Sequence, residues 1–351
     1  MKNILTTLLG LFLSLSIFAQ VQPYYNSVNL TLTGIPLKNE LATKITNTHT
    51  NLLTYNDVWT VLKQTDLDPT NSTKVLLIYG YNDTDGDVKT DRTRSKNDNG
   101  GNTGDWNREH TYAKSLANPS MTTSTPSAGT DAHHLRSSDV QRNGMRGSLK
   151  FAAGSGNSST VGGNWYPGDE WKGDVARMMM YMYLRYPTQC LPNNVGAGAS
   201  VGVDPSMIEL FLTWNAADPV SQYEKNRNPI LESQQGNRNP FIDNPYLATL
   251  IWGGDVAEDF WNMTAVDEYD FSSQFSIYPV PANNDEIHVY FKNTLQVDVV
   301  TLYDVSGKVI ATQNKPTITN NELVFDNLNE GFYFLTLQVG QTVITKKVVV
   351  N

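Results

Sequence analysis

Cysteine is nearly absent from this chain. Cys190 is the only cysteine in 351 residues, so no intramolecular disulfide can form. Small disulfide-stapled folds are therefore excluded, and stability must come from apolar burial in a chain that is long enough for more than one domain. Cys190 itself follows a helical pattern and is expected to be a buried, unreactive side chain.

Long apolar runs are scarce as well. One run, Ile4 to Phe18, follows Lys2 and precedes Ala19 and Gln20, which is the layout of a secretory signal peptide. It falls short of the roughly twenty residues that cross a bilayer, and no later segment is comparable, so no integral membrane segment is expected. Residues 1–19 are predicted to be a signal peptide, and the protein is predicted to be secreted, either extracellular or attached to the cell surface. An uncleaved N-terminal anchor is the alternative.

Basic charge is also in deficit overall, with 26 Lys and Arg against 35 Asp and Glu. This balance argues against a polyanionic ligand for the molecule as a whole. The region 105–185 differs, because it contains nine basic and seven acidic residues. The nine predict a modestly basic cleft suited to weak, salt-sensitive phosphate contacts: Arg108, Lys114, Arg136, Arg142, Arg146, Lys150, Lys172, Arg177 and Arg185.

Hydrophobic periodicity predicts an α+β fold, with a mainly helical first domain around a small β element. A buried strand is predicted at 75–79, and a polar loop that is exposed and mobile at 82–104. A polar, arginine-bearing segment at 226–244 leads to the last short helix. The predicted helices are a pair within 37–62 that breaks around 56–57, a mostly buried helix at 174–186, and two more at 205–215 and 246–252.

Three short segments carry the chemistry-bearing residues: WNREH (106–110), DAHHLR (131–136) and RNGMRG (142–147). Together they supply a carboxylate beside an imidazole, a carboxamide and several guanidiniums. Hydrolysis of a phosphodiester needs a base for the attacking water, charge compensation on the phosphoryl oxygens and stabilisation of the leaving alkoxide. Because neighbouring side chains on a strand point to opposite faces, Glu109 and His110 need a twist or a strand end to serve one site.

Read together, these segments resemble the endonuclease I family of secreted bacterial nucleases, over roughly residues 35 to 255. That resemblance implies a ββα-metal (His-Me finger) core with His110 as the general base and Glu109 and Asn143 as ligands of Mg²⁺, which Ca²⁺ or Mn²⁺ could replace. Two departures are the Tyr112-Ala113 pair, where the family commonly has an aromatic residue and a proline, and the lack of disulfides that some members carry. Further matching segments are GDEWKGDVAR (168–177), WN (214–215), DPV (218–220) and QGNRNPFID (235–243).

An arginine usually steadies the phosphoryl group in sites of this kind. Arg146 is the preferred candidate, Arg136 and Arg142 are nearby alternatives, and Arg108 comes behind them. For any one of them, a solvated or salt-bridged side chain is the structural alternative.

The adjacent histidines His133 and His134 raise the alternative of a zinc-dependent phosphoesterase. Only His133 falls on a position of the resemblance, and no Cys or His lies at zinc-ligand spacing. His133 is therefore predicted to be a structural or second-shell hydrogen-bonding residue and His134 to be incidental. His49 and His288 lie outside the motif.

The last part of the chain changes character. It resembles the C-terminal sorting domain of proteins exported by the type IX secretion system, through IYPVPA (277–282), LYDVSGK (302–308), GFYF (331–334) and KKVVV (346–350). The predicted domains are a catalytic domain at 20–272 and an all-β sandwich sorting domain at 273–351. An accessory binding domain is the alternative. The strand predictions are 287–291, 297–303, 331–338 and 342–350.

The leading hypothesis is a secreted, Mg²⁺-dependent, non-specific endonuclease acting on DNA and possibly RNA, exported through the type IX machinery and monomeric. The alternative is a non-catalytic surface or adhesion module that binds calcium through DTDGD (83–87). In that loop the glycine comes too early for an EF-hand and no distal glutamate completes the pattern.

Overall fold

The computed structural model describes residues 21–263, 274–282, 285–292, 297–339 and 342–351. The predicted signal peptide at 1–19 and the predicted domain boundary between 272 and 273 lie outside these residues. The chain divides into two compact units, which meet in sequence between Trp261 and Asn262. No helix in the described ranges is both long enough and apolar enough to cross a membrane.

Helices of the first unit form where the sequence has helical periodicity. The pair predicted within 37–62 is confirmed, and residues 49–56 separate its members. The last short helix has the predicted bounds. The helices are α1 (Gly34–Thr48), α2 (Asp57–Thr65), α3 (Val140–Arg146), α4 (Lys172–Arg185), α5 (Pro192–Val195), α6 (Glu209–Ala217), α7 (Gln222–Gln235), α8 (Pro240–Asp243) and α9 (Tyr246–Trp252).

Two long helices show how local sequence defines the framework. In α4 every residue from Gly173 to Leu184 is buried, as its apolar composition predicted. The sequence analysis predicted only a polar segment at 226–244, but the structure places most of α7 in this range. Ser221 and Glu224 form a capping box at its start, and Gly236 ends it with a φ of 92°. The capping signals were present in the sequence, but the polar composition hid the helix.

Strands of the first unit are short and form small separate sheets. β1 (Leu67–Asp68), β2 (Asn71–Leu76) and β3 (Thr93–Ser95) form one sheet in that order. The other strands pair as β4 (Trp106–His110) with β5 (Leu135–Asp139), β6 (Ser159–Val161) with β7 (Asn164–Tyr166), and β8 (Ser200–Val201) with β9 (Asp204–Ile208). All these pairings are antiparallel.

Three strand and helix predictions for this unit need correction. The helix predicted at 205–215 begins only at Glu209, because residues 204–208 pair with β8. The loop predicted at 82–104 contains β3, which pairs with β2. The strand predicted at 75–79 ends at Leu76, although the residues up to Tyr79 are fully buried. In each case a partner strand, which local periodicity does not reveal, sets the boundary.

The C-terminal unit is an all-β structure of two sheets. Its strands are β10 (Phe275–Tyr278), β11 (Ile287–Phe291), β12 (Val299–Asp304), β13 (Val309–Asn314), β14 (Glu322–Phe325), β15 (Gly331–Val339) and β16 (Thr342–Val350). One sheet has the order β10-β11-β14 and the other β13-β12-β15-β16. Alternate residues, such as Val300, Leu302, Leu335 and Leu337, are fully buried in one apolar core.

The predicted all-β character of this unit is confirmed, and so is the α+β class of the whole chain. The four predicted strands are present, while β10, β13 and β14 were missed. Helix accounts for 31% and strand for 26% of the described residues, so neither type predominates. A mainly helical character of the first unit stays a prediction.

Candidate active site

Three consecutive elements bring the candidate residues together. β4 and β5 pair from Trp106 opposite Asp139 to His110 opposite Leu135, and α3 begins directly after β5. The Asp139 carboxylate caps α3 by accepting the backbone N–H of Arg142 at 2.8 Å. The strand pair, with the short helix packed on both strands, therefore forms the frame on which the predicted residues lie.

A pocket of about 330 Å³ lies at the end of β4. Glu109 and His110 both line it, because the extended strand ends at His110 and the alternation of faces ends with it. Asn143 and Arg146 line the pocket from α3. The complete lining is Arg108, Glu109, His110, Ala113, Lys114, Ser115, Asn143, Arg146, Gly147 and Ser148. The structure thus brings all four predicted site residues to one pocket.

Glu109 is a buried carboxylate that is held through one of its oxygens. Its Oε1 accepts a hydrogen bond from the Tyr79 hydroxyl at 2.9 Å and lies 3.3 Å from Nη1 of Arg146. Burial raises the pKa of Glu109, while Arg146, the Tyr79 hydroxyl and the His110 N–H act in the opposite direction. Since both side-chain partners contact Oε1, Oε2 is the oxygen available to a cation in the pocket.

Asn143 presents a carboxamide oxygen from α3. Its Nδ2 donates to Oδ1 of Asn107 at 2.7 Å, which leaves the Asn143 Oδ1 for another partner. Carboxylate and carboxamide oxygens suit Mg²⁺, which keeps several waters when it binds to protein. Among the described residues no group of three or more His, Cys, Asp or Glu is placed to hold a metal. A Mg²⁺ ion held by Glu109, Asn143 and water fits this donor set.

His110 is an oriented, neutral imidazole. Its Nε2 lies 2.8 Å from the carbonyl oxygen of Gly129. A carbonyl can only accept, so Nε2 carries the proton and Nδ1 keeps its lone pair. Burial, reinforced by His134, lowers the pKa of His110 to about 3. The rings of Tyr55 and His134, at 5.5 and 5.6 Å, hold the imidazole from two sides.

Arg146 lines the pocket but binds the protein itself. It is fully buried, and its guanidinium donates to the backbone carbonyls of His110, Thr111 and Gly147 at 2.9–3.2 Å. Together with its ion pair to Glu109, these bonds fasten the end of β4 to α3. Arg146 therefore positions the carboxylate and the backbone beside it.

Of the nine residues predicted to form a basic cleft, Arg108, Lys114 and Arg146 line the pocket. Arg136 is buried against Asp174 at 3.1 Å, and Arg142 donates to the backbone and hydroxyl of Ser158. Arg177 is fully buried as well. None of these three lines the pocket. These three do not contribute to a basic cleft, because a buried guanidinium with protein partners adds little positive potential at the surface.

The adjacent histidines are structural. Nε2 of His133 lies 3.2 Å from both oxygens of Asn237, and Nε2 of His134 lies 2.8 Å from the carbonyl oxygen of Ala128. Burial lowers the pKa of each to about 4. The two rings thus donate to acceptors in different segments, and neither lines the pocket. This geometry agrees with a hydrogen-bonding role for His133 and does not favour the zinc alternative.

The acidic run at 83–87 uses its carboxylates within its own loop. Asp83 accepts the backbone N–H groups of Arg92 and Thr93 at 2.7 and 2.8 Å. Asp85 accepts the Thr90 hydroxyl at 2.7 Å. These bonds close the loop onto β3 and explain the acidic residues without a cation.

Sequence analysis missed two supports of the site. Tyr79, which orients Glu109, has a φ of 74°, an uncommon conformation that a tight fold around the residue must hold. Gly129, whose carbonyl orients His110, is required because a Cβ there would lie 2.2 Å from the carbonyl oxygen of Thr122. The only sequence signal was the position of Tyr79 at the end of a buried apolar run.

Comparisons with known proteins agree with this geometry. Residues 33–246 match the family model "Endonuclease I", and residues 276–351 match "Secretion system C-terminal sorting domain". An extracellular ribonuclease from Bacillus subtilis (strain 168) is 42% identical over 259 residues, covering 70% of this chain and 84% of its own length. An extracellular ribonuclease from Bacillus amyloliquefaciens is 42% identical over 249 residues, or 67% of this chain and 79% of its own.

A solved structure, that of the sulfur carrier protein SoxY from Chlorobium limicola f thiosulfatophilum, aligns with 24% of this chain and 98% of its own at 11% identity. Its TM-score of 0.17 is too low to support an argument. The matches in sequence cover the frame, the pocket and the C-terminal unit. The chain belongs to the endonuclease I family and is a secreted nuclease that ends in a secretion-system C-terminal sorting domain.

Proposed function

We propose that this protein is a Mg²⁺-dependent endonuclease that hydrolyses phosphodiester bonds of DNA and RNA with little sequence preference. The observation that carries the proposal is the convergence of three groups on one pocket: the neutral imidazole of His110, the carboxylate of Glu109 and the carboxamide of Asn143. The β4-β5-α3 frame has the order of a ββα-metal core, and we assign it to that class.

His110 acts as the general base. Its Nδ1 accepts the proton of the attacking water, while the bond from Nε2 to Gly129 keeps the ring in the required tautomer. The lowered pKa keeps His110 unprotonated throughout the physiological range. A base positioned in this way contributes typically 10² to 10⁴-fold to the rate.

Glu109 and Asn143 would hold the divalent cation, with Tyr79 and Arg146 fixing the carboxylate. When bound, such an ion compensates the charge that develops on the phosphoryl oxygens and the leaving alkoxide. The donor set consists of oxygen atoms, so Mn²⁺ or Ca²⁺ can take the same place. Rigid donors matter here because misplacement by about 1 Å is costly in rate.

RNA is included among the substrates because the two relatives named above are ribonucleases. Neither a base-reading helix nor a stacking motif was found in the sequence, and low sequence preference follows. The C-terminal unit directs the protein across the outer membrane through the type IX secretion machinery, and the nuclease acts as a monomer.

The test is digestion of plasmid DNA and of RNA by the mature full chain, with Mg²⁺ or with EDTA, comparing the wild type with His110→Ala. We expect cleavage of both polymers with Mg²⁺, none with EDTA, and a loss of at least 10²-fold in the variant. A folded wild type that cleaves neither polymer would refute the proposal. Activity that survives Mg²⁺ removal, with zinc bound to the purified protein, would favour the zinc alternative.

A further inference from the structure

Arg108 has an unusual environment within the pocket. Its guanidinium carbon lies 3.6 Å from the ring centre of Tyr55 and 4.0 Å from that of Trp59, so the plane is held between two aromatic faces. Nη1 donates to the backbone carbonyl of Tyr55. Nε is buried and has no hydrogen-bond partner. The side chain is therefore held in one orientation, while part of its donor capacity is unused.

The charge of Arg108 is not compensated by the protein. No carboxylate oxygen of the described residues lies within 4.0 Å of its guanidinium, and burial lowers the pKa of Arg108 without a carboxylate to oppose it. Arg142 and Arg185 also lack a carboxylate partner, but neither lines the pocket. Seven other arginines of the first unit have such a partner: Arg92, Arg94, Arg136, Arg146, Arg177, Arg227 and Arg238. An uncompensated, pre-oriented guanidinium in a pocket calls for an anionic ligand, since desolvating a charge without a partner is costly.

Arg146, the preferred phosphate contact in the sequence analysis, has more protein partners than Arg108, although its Nε also lacks a hydrogen-bond partner. Its Nη1 and Nη2 both donate to backbone carbonyls, and Nη1 also pairs with Glu109. A phosphate bound by Arg146 would have to replace these partners. Arg108 has one backbone-carbonyl partner, Tyr55, and no carboxylate partner, and it directly precedes Glu109 on β4.

We propose that Arg108, held between Tyr55 and Trp59, is the arginine that contacts a phosphate group of the bound nucleic acid. This inference rests on the proposed function, whose substrate supplies the phosphate. A guanidinium suits the task because it remains charged and presents several donors in one plane, to which two phosphate oxygens can bind at once. Arg146 is then a positioning residue that acts through Glu109.

The experiment measures the binding of a labelled single-stranded DNA oligonucleotide to the full chain. The chain carries His110→Ala throughout, so that the oligonucleotide is not cleaved. Arg108→Gln is added to this background and the affinity is measured over a series of salt concentrations. Loss of one phosphate contact should weaken binding about tenfold and reduce the slope of log K against log salt by about 0.7. Arg185→Gln is the matched control, since Arg185 also lies over a tyrosine ring, 4.7 Å from that of Tyr186, but outside the pocket.

A second variant separates the charge from the stacked plane. In the otherwise wild-type chain, Arg108→Lys should fold and keep the salt dependence of KM, because the charge remains. Its kcat/KM should fall several-fold, because an ammonium group lacks the planar fork. Circular dichroism checks the fold of each variant.

An unchanged salt slope in Arg108→Gln, or an equal change in Arg185→Gln, would overturn the assignment of Arg108. A reduced slope in a folded Arg146→Gln variant, with no reduction in Arg108→Gln, would transfer the contact to Arg146. These outcomes differ from failure of the proposed function, in which the wild type cleaves neither DNA nor RNA. In that case a binding loss specific to Arg108→Gln would still support the phosphate contact.

Discussion

The two units of the molecule have opposite kinds of interior. The first unit buries many charged groups, including Arg136, Arg177 and Glu224. In the described part of the C-terminal unit the buried polar or charged side chains are limited to Thr301, and the rest of the core is apolar. The first unit therefore depends on specific partners, whereas the C-terminal unit depends on alternation of apolar residues along its strands.

This difference follows from what each interior does. A catalytic pocket needs a carboxylate, an imidazole and their supports at fixed positions, and burying such groups is tolerated only when each has a partner. A β-sandwich without such a pocket in its interior needs only apolar area and register. The units should consequently respond differently to substitution and to pH.

The largest expected effect is on catalysis in the first unit. Glu109→Gln keeps the shape of the side chain but removes its charge, so the variant should no longer bind the cation. The transition state then loses several kcal/mol of stabilisation, and the rate should fall by about three orders of magnitude. The measurement is kcat/KM with Mg²⁺, together with the Mg²⁺-dependent rise in the melting temperature. Glu322→Gln, the same substitution in the C-terminal unit, should change neither quantity. Full activity of Glu109→Gln would refute the assignment of Glu109 to the site.

The next effect is on the stability of the first unit. The carboxylate of Glu224 accepts from Nε and Nη2 of Arg177 at 2.6 and 2.7 Å, and Arg177 is fully buried. Arg177→Met leaves Glu224 buried and unpaired, so the free energy of unfolding should fall by about 3–5 kcal/mol. Denaturation followed by tryptophan fluorescence measures it, because all seven tryptophans lie at or before Trp261. A loss below about 1 kcal/mol would contradict this prediction.

A comparable substitution in the apolar core should act only on the other unit. Leu302 is fully buried, and Leu302→Ala should lower the stability of the C-terminal unit by about 2–5 kcal/mol. Because that unit contains no tryptophan, the unfolding transition measured by tryptophan fluorescence should not change. An unfolding transition measured by circular dichroism should move to lower denaturant concentration. Nuclease activity should be unchanged. A shift in both transitions would show that the units unfold together.

The smallest effect for one titrating group over one pH unit is the pH dependence of the first unit. Burial lowers the pKa of His110 to about 3 and those of His133 and His134 to about 4. The unfolded chain binds protons on these residues below about pH 6.5 and the folded chain does not. Each should therefore destabilise the first unit by about 1.4 kcal/mol per pH unit as the pH falls from 6.5 towards 4.

Denaturation at pH 7, 6 and 5, followed by tryptophan fluorescence, checks this dependence. His133→Asn should reduce its slope, because one titrating group is removed. A stability that stays constant over this range would contradict the burial of neutral histidines.

Some features of the fold could be predicted from the sequence because their signals are local. The bounds of α9, β11 and β16 match the predictions, since apolar periodicity and turn residues mark both ends. The strand at 204–208 and β3 were missed, because their sequences lack such a signal and their partners define them. The motif at 106–110 and Asn143 could be recognised because their segments resemble those of the endonuclease I family.

The roles of the arginines could not be predicted in this way. Arg108, Arg136, Arg142 and Arg146 are equivalent in composition, yet one is stacked and uncompensated, one is paired with carboxylates, one is bonded to Ser158, and one fastens the site. Their partners come from segments distant in sequence. Charge counting therefore could not separate Arg108 and Arg146, which line the pocket, from Arg136 and Arg142, which do not.

The sequence alone determined the class of chemistry, the sorting domain and the apolar alternation of the C-terminal unit, because residue type and local spacing carry that information. Only the tertiary structure decided that Glu109 and His110 share one pocket, that Tyr79 and Gly129 orient them, and which partners each arginine has. These properties depend on which distant groups meet, and a buried charge takes its function from the partner that it finds or lacks.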